Sequence, residues 1–105
     1  MNPESGSADR LVSELKVKRY VFRPSGRTRW VVVGRKFEYL VLPNVPYCSC
    51  DDYFFRVLHR GKPSCYHIDA VRLARERGMY DEIEEEDAWY NLLMREWTSW
   101  EKMID

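Results

Sequence analysis

Histidine is nearly missing from this chain of 105 residues, with two in all, and cysteine is scarce and odd in number, with three. An odd count cannot close a disulfide framework, and no charged segment followed by an apolar run opens the chain, so a secreted, oxidised protein is not expected. The expected location is the cytoplasm of a prokaryotic cell, or the nucleus if the source is eukaryotic. No stretch approaches the roughly 18 consecutive apolar residues of a membrane span. Internal repeats and low-complexity tracts are also lacking. An excess of charge of either sign is absent, since 17 Lys and Arg face 17 Asp and Glu.

What is present is unevenly placed. Residues 1–79 hold 15 Lys and Arg against 8 Asp and Glu, whereas residues 80–105 hold 2 against 9. A basic body invites a polyanion such as nucleic acid; an acidic end can shield that body or select among partners. With 45% hydrophobic and 14% aromatic residues the chain can build one modest core, and a bound ion would help a domain of this size.

The pattern along the chain is α+β. Residues 1–7 (MNPESGS) read as a frayed, disordered end, followed by a short helix capped by Ser7 or Asp9 and running through Leu15. Val17–Phe22, Trp30–Val33 and Phe37–Leu42 read as three strands of a small antiparallel meander, with turns at Pro24-Ser25-Gly26 and Gly34-Arg35-Lys36. Pro43 and Pro46 then carry the chain in extended form to the cysteines. A short helix is expected from Asp51 to about Leu58, and a second from about Tyr66 to Arg77 before Gly78, with Ile68, Val71 and Ala74 facing the core. Residues 82–105 are expected to form a final amphipathic helix opened by the acids Glu82 to Asp87.

The chemistry concentrates in Cys48-Ser49-Cys50 and, after fourteen residues, Cys65-Tyr66-His67. Two C-x-C and C-x-H pairs make a complete set of four N/S ligands for one structural zinc ion. In extended chain, residues i and i+2 share a face, so Cys48 and Cys50 can chelate while Ser49 points away. In a regular helix that spacing diverges by about 200°. Cys65 and His67 should therefore straddle a helix start. The alternatives are three ordinary buried cysteines beside a core histidine, or a Cys–His catalytic dyad; His59 has no cysteine two residues away.

Two further groups stand out. Lys18, Arg19, Arg27, Arg29, Arg35 and Lys36 lie on or between the strands, with Arg56, Arg60 and Lys62 across the segment between the ligand pairs, and Tyr20, Phe22, Trp30 and Tyr39 interleave with the first set. Such a mixture can hold nucleic acid, cations meeting phosphates and rings stacking bases, or can be a solvated face over core aromatics. Near the C-terminus Trp89, Leu93, Trp97, Trp100 and Ile104 recur at helical spacing. That stripe is either core or a partner groove or dimer seam.

The stretch YCSCDDYFFRVLHRGKPSCYHIDAVRLA resembles the SWIM zinc-finger family, in particular the single-SWIM-domain branch found in the Shu recombination complex. Two aromatic positions after the first pair are matched by Tyr53 and Phe55, a Val-Leu pair by Val57-Leu58, and the small and aliphatic helix positions by Ala70, Val71, Leu73 and Ala74. The family commonly has proline where Asp51 stands and lysine where Tyr66 stands; neither position is a ligand. The expected domain runs over 8–81; the resemblance covers roughly residues 16–78 and implies a SWIM-type Cys3His finger with one structural Zn²⁺ and no catalytic site. It further implies a partner of the RecA-family recombinase paralogues, association with DNA, and a role in homologous recombination. A free-standing DNA-binding module and a homodimeric scaffold are the other expectations.

Overall fold

The computed structural model describes residues 3–34, 37–50 and 65–98. Helix α1 (Pro3–Ser13) leads into strands β1 (Val17–Arg23), β2 (Thr28–Val33), β3 (Glu38–Leu42) and the two-residue β4 (Tyr47–Cys48). After the ligand segment come helix α2 (Tyr66–Arg77), strand β5 (Asp81–Glu86), one 3₁₀ turn (Asp87–Trp89) and helix α3 (Tyr90–Trp97). The helix expected over Asp51–Leu58 lies outside the described residues.

The three expected strands are there, but the sheet has five strands and is mixed. Its order is β4-β3-β2-β1-β5, antiparallel from β4 to β1, with β5 parallel to β1. Two expectations are thereby corrected. The acidic run Asp81–Glu86, expected to open a long helix, is an edge strand, and only Tyr90–Trp97 of the expected final helix is α-helical among the described residues. Acids favour a helix N-terminus, which is why the run reads as helix; here the basic strand β1 offers a stronger electrostatic partner, and charged residues suit a sheet edge. The helix α1 also begins at Pro3, within the segment expected to be frayed.

Alternation along the strands sends side chains to two faces and builds two cores. On one face Val17, Val32 and Val41 meet Ala8 and Val12 of α1 and Ile68, Ala70, Val71 and Ala74 of α2. On the other, Tyr20, Phe22, Val31 and Leu40 meet Trp97, with Tyr90, Leu93 and Met94 packed alongside. The result is a three-layer arrangement, helices over both sheet faces. Helix α2 stops as its sequence indicates, with Gly78 in the left-handed region at φ 66 and the Met79 N–H donating to the Ala74 carbonyl at 3.0 Å.

Tyr20 lies in the second core with its ring 4.8 Å from that of Trp97. Burial, then the charges of Glu38 and Glu85, push its phenol from the usual 10.0 up to about 12. Because the folded state holds this proton more tightly than the unfolded chain, the associated stability is present below pH 10 and is lost as pH rises from 10 through about 12. Urea unfolding across that window should show an alkaline decline in stability that Tyr20→Phe lacks. An unchanged decline in the variant would assign it to other groups.

Candidate metal centre

The β3–β4 hairpin carries the first pair of sulfurs. Val41 pairs with Cys48 and Leu42 with Tyr47, and the ladder extends one step further through the Ser49 N–H to the Leu40 carbonyl at 2.9 Å. Residues 48–50 are thus held extended, which puts Cys48 and Cys50 toward α2 and sends Ser49 through to the opposite face. There the Ser49 hydroxyl donates to the Trp97 carbonyl at 2.6 Å and accepts from the Leu40 N–H at 2.9 Å. The second pair straddles a helix start. Cys65 is the N-cap of α2 with extended backbone (φ −96, ψ 162), and His67 is the second residue of the helix.

Together they form one buried cluster. Cys48, Cys50 and Cys65 are 1 to 2% exposed and His67 3%, and the four ligand atoms all lie within 4.8 Å of one another. Tetrahedral zinc with Zn–S of about 2.3 Å and Zn–N of about 2.0 to 2.1 Å requires ligand separations of roughly 3.6 to 3.8 Å. Cys48 Sγ and His67 Nδ1 are 3.7 Å apart. All three thiols are free of disulfides.

The electrostatics also call for a cation. Burial, with the neighbouring Cys50 and Cys65 sulfurs, pushes the Cys48 thiol well up. Hydrogen bonds from the Cys48 and Cys50 thiols, with smaller contributions from His67 and the Ile68 N–H at the start of α2, pull Cys65 down against the effect of burial. The protein alone therefore favours one thiolate, at Cys65, and opposes three. A divalent cation removes that opposition, because each thiolate is stabilised by the ion more than it is penalised by its neighbours. Cys48, Cys50, Cys65 and His67 are positioned to bind one metal ion, and three sulfurs with one imidazole fit zinc.

The other anticipated site residues fare differently. Two basic ones are occupied by acids, Lys18 meeting Glu38 at 3.1 Å and Arg19 meeting Glu82 at 2.7 Å, and their strand neighbour Arg23 likewise meets Glu84 at 3.2 Å. The strand β5 that overturned the helical reading supplies the partners of Arg19 and Arg23, and β3 that of Lys18. Arg27 and Arg29 instead flank the ring of Tyr90, with their guanidinium carbons 4.7 and 5.3 Å from its centroid, and Arg29 donates to the Tyr90 hydroxyl at 2.7 Å. Arg35, Lys36, Arg56, Arg60 and Lys62 lie outside the described residues, as does Trp100. Of the aromatic stripe, Trp97 is core, 1% exposed, with its indole N–H donating to Glu38 Oε2 at 3.2 Å. Leu93 packs against the same core. Trp89, in the 3₁₀ turn, is half exposed.

Sequence reasoning did not anticipate the ring environment of His67, whose imidazole lies 5.1 Å from Tyr39 and 4.2 Å from Tyr66, centroid to centroid. Nor did it anticipate Ser49 as a link to α3, or Glu38 as the acceptor for Trp97. Tyr66 sits between two ligands and was within reach of inspection; the contacts of Tyr39 and Glu38 cross the sheet and leave no local signal.

The fold and donor set define a zinc-binding module of α+β class. Its sequence is similar to that of a zinc finger SWIM domain-containing protein 7 homolog of Dictyostelium discoideum, 35% identical over 82 residues, covering 76% of this chain and 53% of that protein. An uncharacterized protein of Archaeoglobus fulgidus is 40% identical over 75 residues, covering 71% of this chain and 54% of that protein. The chain spans about half the length of these curated relatives. No family model and no solved structure matches it. The Cys3His cluster fits a SWIM-like zinc finger.

Proposed function

We propose that this protein is a non-catalytic zinc-binding adaptor in DNA recombination or repair, associating with a RecA-family recombinase paralogue and contacting DNA. The observation that carries the reading is the buried tetrad of Cys48, Cys50, Cys65 and His67. Four protein ligands fill a tetrahedral zinc shell, which leaves no position for a water or substrate and makes the ion a structural element instead of a Lewis acid. The name of the Dictyostelium relative supports a SWIM-type module. The recombination role and the partner follow from the resemblance of the ligand segment to the single-SWIM-domain proteins.

Direct nucleic-acid contact has a narrower basis than the basic composition implies, because β1 is ion-paired. Support comes from a groove of about 330 Å³ at the end of β2 and β3, lined by Arg29, Trp30, Asn44, Val45 and Arg75 among others, with no acidic residue among the described residues that line it. Two arginines and an indole suit a single strand, whose phosphates and bases need cations and ring faces together. Trp89 and Leu92, both about half exposed and three residues apart, offer apolar contact to a protein partner or a second copy of the chain.

Affinity purification of the zinc-loaded protein with and without nuclease treatment tests the reading. The expected result is a recombinase-like protein that co-purifies after nuclease treatment, together with DNA binding that weakens steeply as salt rises. Salt-sensitive DNA binding with no protein partner would favour a free-standing DNA-binding module. A dimer that binds neither would favour a homodimeric scaffold.

A further inference from the structure

Gly34 follows β2 directly, and its N–H donates to the Phe37 carbonyl at 2.8 Å. Its φ lies outside the left-handed region in which only Gly26 and Gly78 are found among the described glycines, so the backbone does not require glycine here. Space does. A Cβ at position 34 would lie 2.5 Å from Cε2 and 3.2 Å from Cδ2 of Tyr39, and 3.1 Å from the Phe37 carbonyl oxygen. The first separation is one that packed atoms do not adopt, so the tyrosine ring would have to move.

That ring has little freedom to do so quietly. Tyr39 is half-buried on β3, on the sheet face that carries the metal ligands, and packs against the core formed with α1 and α2. Its ring leans on the His67 imidazole, with centroids 5.1 Å apart and planes tilted by 35°. Tyr66 flanks the same imidazole at 4.2 Å. Rotation of the imidazole about its Cβ–Cγ bond would carry Nδ1 away from Cys48 Sγ, to which it now stands at 3.7 Å. Imidazole ligands are commonly oriented by a hydrogen bond to their second nitrogen. Ring packing can set the same angle.

We infer that Gly34 and Tyr39 are positioning residues for the metal centre: the missing side chain at 34 lets the Tyr39 ring lie where it holds the His67 imidazole toward the three sulfurs. The inference rests on the reading of the tetrad as a metal site and adds a determinant of metal affinity that is not a ligand. Neither residue is one of the four ligands.

The test is a double-mutant cycle on the full chain with Gly34→Ala, Tyr39→Ala and the pair, with Tyr39→Phe as the conservative variant. Zinc affinity is read by competition with a chromophoric chelator, and ligand geometry by the visible absorption of the Co²⁺-loaded protein. Gly34→Ala is expected to weaken zinc roughly 10- to 100-fold, the usual range for disturbing a group that orients a ligand, and to shift the Co²⁺ bands. Tyr39→Ala is expected to weaken zinc as well, while Tyr39→Phe keeps wild-type affinity and spectrum. In the Tyr39→Ala background, Gly34→Ala should cost nothing more, because the ring it would displace is gone. If Gly34→Ala does not fold, folding of the double variant carries the same conclusion.

An equal loss from Gly34→Ala in both backgrounds would overturn the inference and assign the effect to the Phe37 carbonyl. Wild-type affinity and spectrum in Gly34→Ala would also overturn it. Failure of the wild-type chain to take up one equivalent of Zn²⁺ or Co²⁺ is a separate result, and it would remove the metal centre itself.

Discussion

Cys48→Ser is expected to lose one-to-one zinc binding and the folded state together. Serine offers a hard, protonated hydroxyl where zinc needs a thiolate, and Cys48 is both a ligand and part of the buried core joining β4 to α2. Structural zinc in finger peptides contributes about 10 to 16 kcal/mol of apparent binding energy at neutral pH, against a total stability of about 5 to 15 kcal/mol for a whole domain. Without the ion the three-thiolate state is disfavoured, since burial and the neighbouring sulfurs oppose ionisation of Cys48. Chelation of the wild-type protein should reproduce the effect, and returning zinc under reducing conditions should reverse it. Elemental analysis of never-chelated protein and circular dichroism before and after chelation make the measurement. A Cys48→Ser protein that retains a full equivalent of zinc and an unchanged melting transition would mean that these four residues do not form the metal centre.

Trp97→Ala should be the most damaging change outside the ligands, at about 3 to 5 kcal/mol, the range for removing a large aromatic side chain from a packed core. Trp97 closes the core on the sheet face opposite the metal, 4.8 Å from the Tyr20 ring, and its indole N–H reaches Glu38, which also pairs with Lys18. Its carbonyl accepts the Ser49 hydroxyl, so the extended segment between two sulfur ligands and the end of α3 are tied together. Trp97→Phe keeps much of the buried ring area and loses the hydrogen bond with part of the ring volume, so it should cost less than Trp97→Ala. Urea unfolding of zinc-loaded protein compares the three. A loss below about 1 kcal/mol for Trp97→Ala would show that α3 is not docked in solution.

The limits of α2 and the metal tetrad are both legible in the sequence, for one reason. They are local. C-x-C in extended chain and C-x-H across a helix start each bring two donors together through backbone geometry alone, and Gly78 marks the end of α2 by its own φ. The strands β1, β2 and β3 were legible for a similar reason, since apolar and β-branched runs separated by short turns favour antiparallel neighbours.

The role of the acidic segment was decided elsewhere. Asp81–Glu86 contains one apolar residue, Ile83, and gives no hint of a strand by alternation alone. It becomes one because β1, 63 positions away at the Arg19–Glu82 pair, presents cations in register with its carboxylates. The same pairing engages Arg19 and Arg23 of the basic strand that composition offered to nucleic acid. In this protein the sequence by itself determined which atoms can grip a metal, because nearest-neighbour geometry suffices for that. Only the tertiary structure decided which charges remain available and which tryptophan is core, because pairing across a sheet depends on residues that meet only after the chain has folded.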